Sequence, residues 1–209
     1  MTPSADVLDL FAVPGAVTSL GDGPGVVAGD LLLTPGRDPA VQAWLAPLVA
    51  RLAVTMDSRP DRRRLDLRVA VPVPARDGSL VVEGWAASRH EPGTVPTRDL
   101  DVTLAAGRVL HAELASWVPT RPAQLPGEGA AGQLVHTTLF GKVLLDPCGA
   151  PLVVDITPAW RPAPWAEALC VLDAVAAGAA PASVLTRWST DSERALLREA
   201  QEFRRVSPR

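Results

Sequence analysis

The hydrophobic period of this chain changes at Pro92-Gly93, and that change confines the fold to a strand-rich first part followed by a helix-rich second part. Before it, apolar runs are short and punctuated. Ala16–Leu20 and Val26–Ala28 read as strands around the glycine-rich turn Gly21-Asp22-Gly23-Pro24-Gly25, and Gly29-Asp30 leads into a third strand, Leu31–Thr34. Pro35-Gly36 ends it. Asp38-Pro39 then predicts a helix entry, since Asp caps free amides and Pro suits the first turn. Val41, Trp44, Leu45, Leu48 and Leu52 continue at helical spacing, with Pro47 predicting a kink or a short helix. Leu67–Val73 and Leu80–Ala86 read as strands joined at Arg76-Asp77-Gly78, where Asp-Gly favours a hairpin.

Beyond Pro92-Gly93 the spacing predicts a helix over Asp99–Trp117, with Leu100, Leu104, Leu110 and Leu114 on one side. Residues 119–132 read as a loop. Gly141–Leu145 and Pro151–Ile156 are expected strands about the turn 146–149, Pro158–Pro164 is a rigid Pro/Trp segment, and Trp165–Ala177 and Asp191–Arg205 are expected helices. The resulting division is a sheet lobe over 1–90, with one helix, and a helical lobe over 91–209.

Charge excludes some partners. Twenty basic against twenty-three acidic side chains give -3, and lysine occurs once, at Lys142, so bulk electrostatics favours neither nucleic acid nor anionic membrane. The basic stretch Arg59–Arg68 is interleaved with Asp61 and Asp66 and reads as a solvated loop. The first residues carry Asp6 and Asp9 and do not form a secretory signal, so a cytoplasmic location is expected. Trp165–Ala182 is the most apolar stretch and is interrupted by Glu167, Asp173 and Pro181, short of the roughly 20 clean residues of a membrane helix. Cys148 and Cys170 have neither framework nor zinc spacing and are expected to be buried thiols. His90 and His111 lack a second ligand at metal spacing and read as loop and helix-surface residues; no metal or cofactor is expected.

Five segments together carry a family resemblance. Gln133-Leu134-Val135-His136-Thr137-Thr138-Leu139-Phe140-Gly141-Lys142-Val143 resembles the catalytic loop of aminoglycoside phosphotransferase-like proteins, and Val153-Val154-Asp155-Ile156 resembles their metal-binding segment. Trp160-Arg161-Pro162-Ala163-Pro164-Trp165-Ala166, the helix start Asp38-Pro39 with Ala43-Trp44, and Glu83-Gly84-Trp85-Ala86-Ala87-Ser88-Arg89 are similar to an actinobacterial branch of that superfamily. The resemblance implies an α+β, protein-kinase-like fold, a small antiparallel sheet lobe beside a reduced mainly helical lobe. It also implies that Thr34, His136, Thr138, Lys142 and Asp155 meet in one cleft.

The departures from that pattern govern the functional expectation. Thr34 stands where the phosphate-positioning lysine would be, and no Asp or Glu occurs from Pro39 to Ala53 to hold such a lysine. Thr138 replaces the carboxylate that orients the acceptor hydroxyl, and a hydroxyl cannot take that proton at neutral pH. Lys142 replaces a metal-binding Asn, and an ammonium repels Mg²⁺. Asp155 alone is retained. Since phosphoryl transfer depends on positioning and electrostatics, the expectation is a silent, pseudokinase-type protein that acts by binding a protein or peptide partner. The alternatives are different chemistry in the same cleft, or a nucleotide or metabolite sensor. His136 is expected to brace its loop. Most of the six tryptophans read as core residues, the alternative for Trp160 and Trp165 with Arg161 being an exposed ledge for a partner, and uncovered apolar faces favour a homodimer.

Overall fold

Two aspartates start the two longest helices. In this computed structural model, which describes residues 1–21, 23–126 and 132–207, Asp38 accepts from the Val41 amide ahead of α2 (Pro39–Asp57), and Asp99 accepts from the Asp101 and Val102 amides ahead of α3 (Leu100–Trp117). Helix α2 runs unbroken through Pro47. The proline forfeits one backbone bond, and the eight buried residues of α2, Leu45, Val49 and Leu52 among them, outweigh that loss. By length and hydropathy α2 is also the one described helix that could cross a membrane; 44% of that window is buried, and it packs on strands as a core helix does.

The chain forms two compact units, and neither is contiguous. The first comprises Met1–Pro96 with Leu144–Asp155; the second comprises Thr97–Val143 with Ile156–Arg209. The division at residue 90 is therefore displaced, and the segment 144–155 belongs with the strands rather than with the helices. The overall class is α+β, an antiparallel sheet and a mainly helical part, as the sequence indicates.

In the first unit, α1 (Ala5–Leu10) follows the cap Ser4. Strands β1 (Thr18–Ser19), β2 (Val26–Ala28), β3 (Leu31–Thr34), β6 (Ala86–Arg89) and β5 (Pro72–Val73) form one antiparallel sheet in that order. The expected strand Leu67–Val73 divides. Its first half is β4 (Arg68–Val69), parallel to β10 (Pro151–Val153), and its second half is β5, because Pro72 and Pro74 lack the amides that a continuous ladder needs. Strands β4, β10, β9 (Val143–Leu145) and β7 (Val95–Pro96) make a second sheet.

The Ala75–Ser79 turn forms, with Asp77 accepting from the Ser79 amide. Of the expected strand Leu80–Ala86 only Ala86 is in a strand, as the first residue of β6. Val82 and Trp85 exchange both backbone bonds around Glu83 (φ 49°) and Gly84 (φ 78°), a turn that only a left-handed pair can make. One core joins Val7, Phe11, Leu33, Val82 and Trp85; another joins Leu32, Ala70, Leu144, Leu152 and Val154.

In the second unit, β8 (Gln133–His136) pairs antiparallel with β11 (Pro158–Arg161), so the Pro/Trp segment is a strand rather than a rigid coil. Its prolines fall at Pro158 and Pro162, at the strand's ends, where missing donors cost least. Helices α4 (Ala163–Ala176) and α5 (Asp191–Val206), with the 3-10 helix Ala182–Arg187 between them, complete the unit. Thr190 and Glu193 form a reciprocal capping box at the start of α5. Trp165, Leu169 and Val135 form the core, and Phe203 meets the Trp165 ring edge-on at 5.0 Å.

Candidate functional site

Asp155 follows β10 and adopts φ 55°, a left-handed conformation that Asp tolerates better than most residues. Its carboxylate is paired with the Arg37 guanidinium. Arg37 follows Gly36 (φ 74°) in the turn from β3 to α2, and its amide donates to the Gly84 carbonyl. Both side chains are largely buried. Thr34, at the end of β3, is buried and registered opposite Ala86, so it presents no charge, as its side chain dictates. A positive charge just beyond the end of this strand is Arg37, which the sequence reading passed over. The turn Pro35-Gly36-Arg37-Asp38-Pro39 contains the signal, because two turn formers deliver a guanidinium three residues beyond Thr34.

His136 belongs to the other unit and is fully buried. Its Nδ1 accepts from the Thr157 amide at 3.1 Å and from the Thr138 amide at 3.4 Å, which places its ring proton on Nε2. Its own amide donates to Nε2 of His111 at 3.1 Å. Thr138 Oγ1 lies 3.1 Å from Thr157 Oγ1, and the Thr137 amide donates to the Thr157 carbonyl. His136 thus ties the turn after β8 to the start of β11, the bracing role expected of it. A ring nitrogen that accepts two amides is not available as a general base.

His111 is 2% exposed, which corrects its reading as a helix-surface residue. The ring accepts the His136 amide, and packing around it pushes its pKa down from 6.5 to about 4, chiefly by desolvation, with Glu167 opposing weakly. Lys142 is half-buried, and its amide closes a turn on the Leu139 carbonyl. Thr34 and Asp155 thus lie in the first unit, and His136, Thr138 and Lys142 in the second.

The Trp160–Trp165 ledge is corrected as well. Trp165 is 1% exposed and Trp160 8%, because the alternation of β11 and the inner face of α4 turn both rings inward; only Arg161 faces out, its guanidinium 5.5 Å from the Trp165 ring. Of the cysteines, Cys170 is buried as expected, but Cys148 is exposed because it occupies a tight turn whose amides bond to Asp146; its thiol meets Arg64.

A kinase-like site would need Mg²⁺, and the residues present do not fit it. The Asp155 carboxylate, the one acidic group expected at such a site, is engaged by a guanidinium. Among the described residues no three His, Cys, Asp or Glu side chains are grouped to hold a metal. No family model matches the chain, and no curated protein matches it. Among solved structures, the chain is similar to a choline/ethanolamine kinase family protein from Mesorhizobium loti, at 16% identity and a TM-score of 0.44, over 92% of this chain and 73% of that one.

Proposed function

We propose that this chain is a kinase-like protein without phosphotransfer activity, which acts through what it binds. The observation that carries the reading is the Arg37–Asp155 ion pair. The guanidinium holds Oδ1 of Asp155, and a Mg²⁺ drawn to the same carboxylate would have to sit beside a largely buried positive charge that repels it. Asp155 is the one residue kept from the catalytic pattern, so its engagement by Arg37 leaves no carboxylate for the metal at that motif.

The role left to such a protein is association with a protein or peptide partner, a second copy of the chain included. Thermal unfolding with and without Mg-ATP tests the silent reading, since a ligand at 100 times its Kd adds about 2.7 kcal/mol to stability. The expected result is no Mg²⁺-dependent shift and no phosphotransfer. A shift that requires both Mg²⁺ and ATP overturns it. Thr138→Asp alone is expected to restore nothing, because the lysine and the second metal ligand are still lacking.

A further inference from the structure

A groove of about 320 Å³ lies within the second unit, among α3, α4, the 3-10 helix and the first turn of α5. Its apolar lining includes Leu104, Val171, Val184 and Trp188. Both carboxylates on its walls are already engaged. Glu167 accepts a bidentate pair from Arg108, at 2.9 and 3.1 Å, and Glu193 accepts from the Ser189 and Thr190 amides in the capping box. Two donors remain over: the Arg187 guanidinium and the Trp188 indole N–H have no acceptor among the described residues.

We infer that this groove binds a small organic carboxylate, its aliphatic or aromatic body against Trp188 and Val184 and its carboxylate on Arg187. The groove stands at the low end of ligand-site volumes, which suits one ring or a short chain rather than a nucleotide. The donor inventory sets the sign of the ligand. With Glu167 and Glu193 occupied, an incoming cation finds no open carboxylate and meets the positive field of Arg187, whereas an anion completes the guanidinium's planar fork. The apolar lining selects against bare inorganic anions, which would strip water from Leu104 and Val171 with nothing to bury there. This inference rests on the second unit alone and is independent of the silent kinase-like reading.

The test follows the Trp188 indole N–H by ¹H–¹⁵N NMR in the full chain, with the resonance assigned from Trp188→Phe. The probes are 4-phenylbutyrate and its neutral amide, 4-phenylbutyramide. The carboxylate is expected to give a saturable shift with a Kd of about 1 mM, and the amide to bind about tenfold more weakly. Arg187 is exposed, so Arg187→Gln should keep the spectrum otherwise unchanged while weakening the carboxylate by about tenfold. No saturable shift up to about 10 mM, equal affinity for acid and amide, or full affinity in a folded Arg187→Gln variant would each overturn the inference.

Discussion

The Arg37 guanidinium and the Asp155 carboxylate, 118 residues apart in sequence, form an ion pair whose side chains are 11% and 5% exposed. Removing one partner takes the opposite charge away from a largely buried ion, a larger loss than removing both. Arg37→Met is expected to cost about 3 kcal/mol or more in urea unfolding, and Arg37→Met with Asp155→Asn to cost less than the two single changes added together. Asn suits this test because it tolerates the left-handed backbone at 155. Strict additivity would show that the two side chains are not coupled.

His111 makes stability depend on pH in a definite direction. Its folded pKa of about 4 lies below the ordinary 6.5, so the unfolded chain binds the additional proton between those values, and stability falls as pH falls through that window. Between pH 7 and pH 5 the loss attributable to this ring is about 2 kcal/mol. His111→Gln, whose side-chain oxygen can still accept the His136 amide, is expected to remove that part of the slope. Parallel pH profiles for the two proteins would exclude His111 as its source.

Helix α5 is fastened by a buried ion pair as well as by its apolar face. Arg204 donates to the Thr137 carbonyl and to Asp173, each at 2.8 Å, and Asp173 is 2% exposed. Its neighbour Arg205 pairs with Glu202 at the surface, where both side chains are mostly exposed. Arg204→Met is expected to destabilise by about 3 kcal/mol and Arg205→Met by less than about 0.5 kcal/mol, as measured by chemical unfolding.

Gly107 sets propensity against packing. It lies inside α3, where alanine is favoured by about 1 kcal/mol, but a Cβ at this position would collide with the buried Leu139 side chain. Overpacking of this kind costs about 1–3 kcal/mol, so Gly107→Ala is expected to lower stability on balance. A rise in melting temperature would mean that Leu139 swings aside freely.

Local chemistry was legible where one residue type had one use. The cap Asp38, the Asp77-Gly78 turn and the extents of α3 and α5 to within a residue follow from short-range rules and stand in the structure. What escaped depended on partners distant in sequence. Strand β8 and strand β11 are extended because each supplies the other's ladder, and nothing in Gln133–His136 or Pro158–Arg161 signals a strand in isolation. The burial of His111 follows from its acceptance of the His136 amide, which periodicity cannot register. Arg37 was hidden because its partner lies in a different segment. The motif around Asp155 was visible, but the cation that occupies it was not.

The return of residues 144–155 to the first unit has a consequence during synthesis. The core of Leu32 and Ala70 is completed by Leu144, Leu152 and Val154, yet Thr97–Val143 must leave the ribosome first. At about 5–20 residues per second, the nascent strands wait several seconds with that apolar surface bare. A chain cut after Pro96 never receives those side chains, so the first unit cannot be isolated by truncation. An order of emergence is thereby written into the fold, and the half made first is the half finished late.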